Sequence, residues 1–318
     1  MPRVAVLLLA AVCALALAAC GGSTAPTSES SSAGSGPTLD TLIGTPGATQ
    51  LVTPNLIVMG GTDFPTGQTV RIPFQVFRKD GQILKPDDGK AELYLGETPS
   101  SPALGPYPVR ELSLAGKGVT FDRKDSDVIM VAADVPLPKA GTWNAVVTMK
   151  VNGNDAVASN AFTVTPEEAT PAVGAAAPDA ATPTLADVDG DAAKISTAYP
   201  ADTTLLQDSI PTLLKEHRPF VVAFATPKFC TSRICGPIVD IVKNVQTAMK
   251  GTPMAFVHAE IYKNLDPTKG TTTWVDAWHL PTEPWVFVVD AQGKITAKFE
   301  GAVTEGELEA AARAALKQ

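Results

Sequence analysis

The sequence is poor in the residues that build metal centres and nucleic-acid surfaces. Its 318 residues include four cysteines and three histidines. Charged residues make up 18%, and 33 Asp and Glu outweigh 25 Lys and Arg, for a net charge of −8. No basic cluster and no interleaving of basic with aromatic residues occurs, so a nucleic-acid partner is not expected. One apolar run bears on a membrane, Val4 to Ala19, "VAVLLLAAVCALALAA". Its 16 residues fall short of the roughly 20 that a spanning helix needs. What remains is a 45% hydrophobic chain, rich enough for a core and long enough for two folded units.

A basic Arg3, a short apolar stretch and small residues after it have the form of a secretory signal peptide over residues 1–19. Leu17-Ala18-Ala19-Cys20 resembles the lipobox of bacterial lipoproteins, which implies cleavage before Cys20 and lipidation of its sulfur. Residues 20–48 are Ser-, Thr-, Gly- and Pro-rich without apolar periodicity, and read as a disordered lipid tether. On this reading Cys13 leaves with the signal and Cys20 carries lipid. Cys230 and Cys235 then remain as a pair that, in an oxidising compartment, has only itself to bridge with.

Residues 49–165 hold seven short runs rich in β-branched residues, among them "QTVRIPFQVF", "DVIMVAADV" and "TWNAVVTMKV". Turn residues separate them, such as Asn152-Gly153. Seven strands in that length suggest an immunoglobulin-like β-sandwich. Residues 166–189 are Pro/Ala-rich and read as a linker. From 190 onward helical and strand patterns alternate. Ser209 precedes a short helix, "PFVVAFA" is a fully apolar strand, and Ile238, Ile241, Val242 and Val245 fall at helical spacing. "MAFVHAEIY" is a further strand, "WVFVVD" and "KITAKFEG" form a hairpin, and Thr304 to Glu307 is a capping box for a last helix.

This order, with "FATPKFCTSRICGP" after the first strand and "EPWVFVVDAQGK" later, resembles the thioredoxin-like fold over residues 190–318. The expected fold class is therefore multidomain, an all-β immunoglobulin-like sandwich followed by an α/β thioredoxin-like domain. The resemblance implies that Pro284 is a cis-proline beside the reactive sulfur, shaping the groove for a client. Three features depart from the family. Four residues, not two, separate the cysteines, and Phe229 stands before Cys230 where the family usually has Trp. No Asp lies within "PFVVAFA" as a proton acceptor, and Glu260 is the candidate relay in its place.

Residues five apart on one α-helix have Cα atoms about 8.7 Å apart, beyond the ~7 Å reach of a disulfide. If the pair bridges, Cys230 lies in the turn before the helix and Cys235 in its first turn, where Pro237 also belongs. Helix N–H groups, Lys228 and Arg233 there favour a thiolate. Cys230 is accordingly read as the attacking thiolate and Cys235 as the resolving thiol of a membrane-anchored, extracytoplasmic thiol–disulfide oxidoreductase. Its partners would be an envelope protein bearing a disulfide or dithiol and an unidentified redox partner.

Two alternatives stand beside it. One is a redox-inert binding module in which the Cys230–Cys235 disulfide is a staple. The other is a Sco-like copper factor with Cys230, Cys235 and His279 as ligands, His258 being the other His considered. Outside that copper alternative no cofactor is expected. Thr226 ahead of Cys230 offers a weaker likeness to peroxiredoxins. Tyr262, Trp278 and Trp285 lie on segments expected near the thiol end of the sheet.

Overall fold

The computed structural model describes residues 36–121 and 126–318. The signal peptide expected over 1–19, the lipidated Cys20 and the first part of the tether expected over 20–48, as far as residue 35, lie outside the described residues, whereas residues 36–48 are described. Ser35–Gln318 form one compact unit. It opens on a short helix, α1 (Leu39–Leu42), whose Leu39 is buried against Tyr94 and Val146.

Eight strands follow: β1 (Asn55–Met59), β2 (Thr69–Arg78), β3 (Ile83–Leu84), β4 (Lys90–Gly96), β5 (Leu104–Ser113), β6 (Val128–Pro136), β7 (Gly141–Val151) and β8 (Asn154–Val164). The β7–β8 hairpin turns on Asn152 and Gly153, both at positive φ, as a two-residue turn matched to strand twist requires. Seven strands close on themselves in the order β1-β8-β7-β4-β5-β6-β2, because β1 pairs antiparallel with β2 and parallel with β8. The two-residue β3 pairs with the end of β2, and its Leu84 joins the barrel core. The barrel interior is filled by side chains such as Phe74, Leu93, Met130 and Val147. On β6 the alternate residues Ile129 and Val131 face outward into a second core, so over Val128–Ala132 the strand is buried on both faces and its sequence is continuously apolar.

The remaining chain builds a small sheet. Its elements are α2 (Ile210–Lys215), β9 (Phe220–Phe224), α3 (Cys235–Ala248), β10 (Ala255–Ala259), α4 (Thr273–Ala277), β11 (Trp285–Val289), β12 (Ile295–Glu300) and α5 (Glu305–Ala315). The strand order is β10-β9-β11-β12, with β9 and β10 parallel and the other pairs antiparallel. One face packs Val221, Val286 and Val288 under Ile238, Ile241 and Val242 of α3 and Leu308 of α5. The other packs Phe220, Phe224 and Phe287 against Ile210, Leu213 and Trp278. Thr304 and Glu307 form the capping box that opens α5.

The expected fold class is corrected. The N-terminal strands are not an immunoglobulin-like sandwich but a closed seven-stranded mixed barrel, since β1 bonds to both ends of what would otherwise be an open sheet. Nor does a separate α/β thioredoxin-like domain follow it. The second sheet is small, among the described residues only α3 and α5 exceed six residues as helices, and the barrel's Leu114, Ile129 and Val131 share one core with α3. The Pro/Ala-rich stretch runs along the β11–β12 turn, where the Gly174 and Ala177 N–H groups donate to Ile295 and Gly293 carbonyls at 2.7 and 2.9 Å.

Polar contacts complete this seam. Glu300, at the end of β12, accepts from the Thr62 N–H at 2.7 Å, the Asp63 N–H at 2.9 Å and the hydroxyls of Thr62 and Thr282 at 2.9 and 2.6 Å. Arg71 of β2 grips Glu307 with two nitrogens, at 2.8 and 3.0 Å. Lys298 of β12 reaches Asp63 and Glu168, the Asp63 side chain being fully buried. Gly301 sits at φ +68°, and a Cβ there would meet the Gly60 carbonyl oxygen at 2.1 Å, so only glycine lets the two backbones approach this closely.

Candidate thiol site

β9 ends at Phe224, and Thr226 to Ile234 form the loop that leads into α3. The Phe229 N–H donates to the Thr226 carbonyl and the Arg233 N–H to the Cys230 carbonyl, which curls the loop so that Cys230 precedes the helix. Arg233 takes positive φ (62°) to make the turn. Cys235 is the first residue of α3, with Pro237 two positions on, where its missing N–H costs nothing. The cysteines are disulfide-bonded with Cα atoms 6.0 Å apart, within the range that bridges allow.

The two sulfurs are not equivalent. Cys230 keeps 9% of its surface exposed and Cys235 none. Cys230 Sγ accepts the Cys235 N–H at 3.3 Å, one of the helix N–H groups that has no intrahelical partner. Ser232 Oγ lies 3.2 Å from the same sulfur and donates to it while the bridge is closed. If the bridge opens, a thiolate on Cys230 inherits both donors and the positive end of α3, and both effects favour the anion.

Beside this loop lies a cleft of about 310 Å³. Thr231, Ser232 and Ile234 form one wall, Pro281 to Glu283 the second, and Met59 to Thr62 of the barrel the third. Pro284 follows directly, buried at the start of β11, with a cis Glu283–Pro284 bond and its carbonyl accepting the Gly301 N–H at 2.9 Å. Burial pushes the Glu283 carboxyl above its usual range. Burial, and then the Glu283 charge, push the Tyr262 phenol up as well. Tyr262 meets Phe229 edge to face at 6.3 Å, and the Lys228 ammonium lies over the Phe229 ring.

Glu260 is buried beyond the end of β10, but it touches neither sulfur. Its Oε1 accepts from the Thr197 N–H and hydroxyl at 2.5 and 2.6 Å, while Oε2 has no hydrogen-bond partner. Thr197 Oγ1 in turn accepts the Lys228 N–H at 3.2 Å, so Glu260 reaches the thiol loop at second hand. His258 is buried, with Nε2 3.0 Å from the Ala225 carbonyl it donates to and Nδ1 3.5 Å from Ser196 Oγ. His279 is exposed just past α4. Among the described residues no three His, Cys, Asp or Glu side chains gather to hold a metal ion, so Cys230, Cys235 and His279 are not assembled as a copper site. Trp278 and Trp285 are core residues, packed on Phe287 at 4.7 and 5.5 Å between centroids. Thr226 is fully buried, its hydroxyl unpartnered.

Three contributors escaped the sequence reading. Ser232 stood inside the quoted cysteine stretch and Glu283 directly before Pro284, and neither residue type announces itself there. The barrel wall at Met59–Thr62 had no signal at all, because it depends on how the two sheets dock.

Comparison with known protein families finds no match, and none is found among curated proteins. Among solved structures the chain is similar to a thiol:disulfide interchange protein of the thioredoxin family from Chlorobium tepidum TLS. Sequence identity is 18% and the TM-score 0.32, over 45% of this chain and 97% of that one.

Proposed function

We propose that the protein exchanges thiols and disulfides with a protein partner through Cys230 and Cys235, a thioredoxin-like redox role. The observation that carries this reading is the asymmetry of the pair. The less buried cysteine, Cys230, stands ahead of α3, takes the first helix N–H and touches Ser232, which lines a cleft, while Cys235 is wholly buried. In the reducing direction, the Cys230 thiolate attacks a client disulfide, forming a Cys230–client bond and expelling one client thiolate. Cys235, losing its proton, then attacks Cys230 Sγ, closing the bridge and releasing the second client thiolate. Two electrons pass from the pair to the client, and the reverse sequence oxidises a client dithiol. Pro284 backs the cleft wall. Glu260 enters through Thr197, which holds the Lys228 backbone ahead of Cys230.

Anchoring at the outer side of the membrane through lipidated Cys20, with an envelope protein as client, is part of the proposal. Its support is the sequence Leu17 to Cys20 and the Ser/Gly-rich stretch after it. Trapping tests the exchange. In the envelope of a cell expressing the Cys235→Ser chain, adducts cleaved by dithiothreitol should accumulate, and they should be absent from the Cys230→Ser/Cys235→Ser chain. No adducts with Cys235→Ser would reduce the bridge to a structural staple.

A further inference from the structure

The cleft beside the thiol loop carries unbalanced charge. Among the described residues two carboxylates line it, Glu283 and Glu300, and no Lys or Arg does. Glu300 is spent, because its two oxygens accept four hydrogen bonds from Thr62, Asp63 and Thr282. Glu283 is not: among the described residues no hydrogen bond to its carboxylate is found, and its charge acts on the Tyr262 phenol. It is half-buried, and a carboxylate withdrawn from water without a partner gains more from an incoming cation than a solvated one does. The opposite wall is Ser232, whose hydroxyl touches Cys230 Sγ at 3.2 Å. A group entering the cleft therefore meets the unpaired carboxylate on one wall and, on the other, the Ser232 hydroxyl that touches the reacting sulfur.

We propose that Glu283 makes this cleft select clients that carry positive charge next to the reacting sulfur, such as a Lys or Arg flanking the client cysteine. The proposal rests on the exchange reading of Cys230 and Cys235. Glu283 acts here on the bound client and not on Cys230 itself, so its effect appears as discrimination between partners and not as a uniform loss of rate.

Small disulfides of defined charge test it. The full chain with Cys13→Ser and Cys20→Ser, so that Cys230 and Cys235 are its only thiols, is reduced and mixed at low salt with one of three compounds. These are cystamine (two ammonium groups), 2-hydroxyethyl disulfide (neutral) and 3,3′-dithiodipropionate (two carboxylates). Each oxidation forms the Cys230–Cys235 bond and releases two small thiols. Rates are divided by those of free dithiothreitol with the same compound, which removes intrinsic reactivity. Cystamine should exceed dithiodipropionate by about tenfold, the low end of what a charged cleft achieves. The ratio should collapse towards one in Glu283→Gln, invert in Glu283→Lys, and shrink in unmodified protein at 0.5 M salt. A ratio the same in the Glu283 variants as in the parent overturns the proposal while leaving exchange intact, and so does a salt-independent ratio in the unmodified protein, which needs no variant to fold. If none of the three compounds oxidises the protein while dithiothreitol reacts, the exchange reading falls, and this proposal with it.

Discussion

Replacing Glu300 by Ala should loosen the barrel from the small sheet. Its carboxylate joins them by accepting two backbone N–H groups from the β1–β2 loop, at Thr62 and Asp63, and it also ties Thr62 and Thr282 through their hydroxyls. A hydrogen bond to a charged acceptor is worth about 1.5–3 kcal/mol net, and a buried donor left unpaired costs about 1–3 kcal/mol. Glu300 is half-buried, so water replaces part of what is lost, and the four bonds together should amount to about 2–4 kcal/mol. At roughly 2–4 °C per kcal/mol for a folded unit of this size, thermal unfolding followed by circular dichroism should show Tm lower by about 5–15 °C. Glu300→Gln should lie between, because an amide keeps one oxygen acceptor but turns its NH2 towards a donor pair. A fall in Tm under about 2 °C for Glu300→Ala would show that this seam is not held as described.

Three further expectations follow from the packing. Trp278→Ala should cost about 3–5 kcal/mol in denaturant unfolding, since the ring is wholly buried among Phe224 and Phe287. Trp278→Phe should cost clearly less, because it also removes a buried indole N–H that has no partner. Lys298→Ala leaves the buried Asp63 carboxylate and Glu168 without their cation and should destabilise by about 3–5 kcal/mol, more than an exposed ion pair such as Lys139–Glu97 would. Glu283 sets a pH effect of the opposite sign to most carboxylates. Its folded-state value is raised, so the folded form binds the proton more tightly than the unfolded chain does, and the group costs stability at neutral pH. Glu283→Gln should therefore raise Tm at pH 7, the gain vanishing as pH falls through the raised value to below the unfolded carboxylate range. A gain that grows with acidification would contradict this.

The strands were legible because each has a local signature. Seven expected β runs became the seven ring strands, and Asn152-Gly153 turned where a two-residue hairpin should. Closure was not legible. It depends on Asn55 and Leu56 pairing with β8 while the whole of β1 pairs with β2, and a period-two pattern names a buried face without naming a partner. The thiol loop could be placed from spacing alone, since five residues within a helix exceed disulfide reach and Pro237 fixes where α3 starts. Glu283 and the Met59–Thr62 wall could not, because their meeting is a product of docking two sheets, with Gly60 and Gly301 in backbone contact.

The measurement closest to the central claim is the reduction potential of the Cys230–Cys235 pair, taken by equilibrating the Cys13→Ser/Cys20→Ser chain with glutathione and dithiothreitol buffers and counting free thiols. Exchange through Cys230 predicts a value within the range of known exchange proteins, roughly −270 to −120 mV. A value below about −300 mV would mark a bridge that resists reduction and would contradict the account.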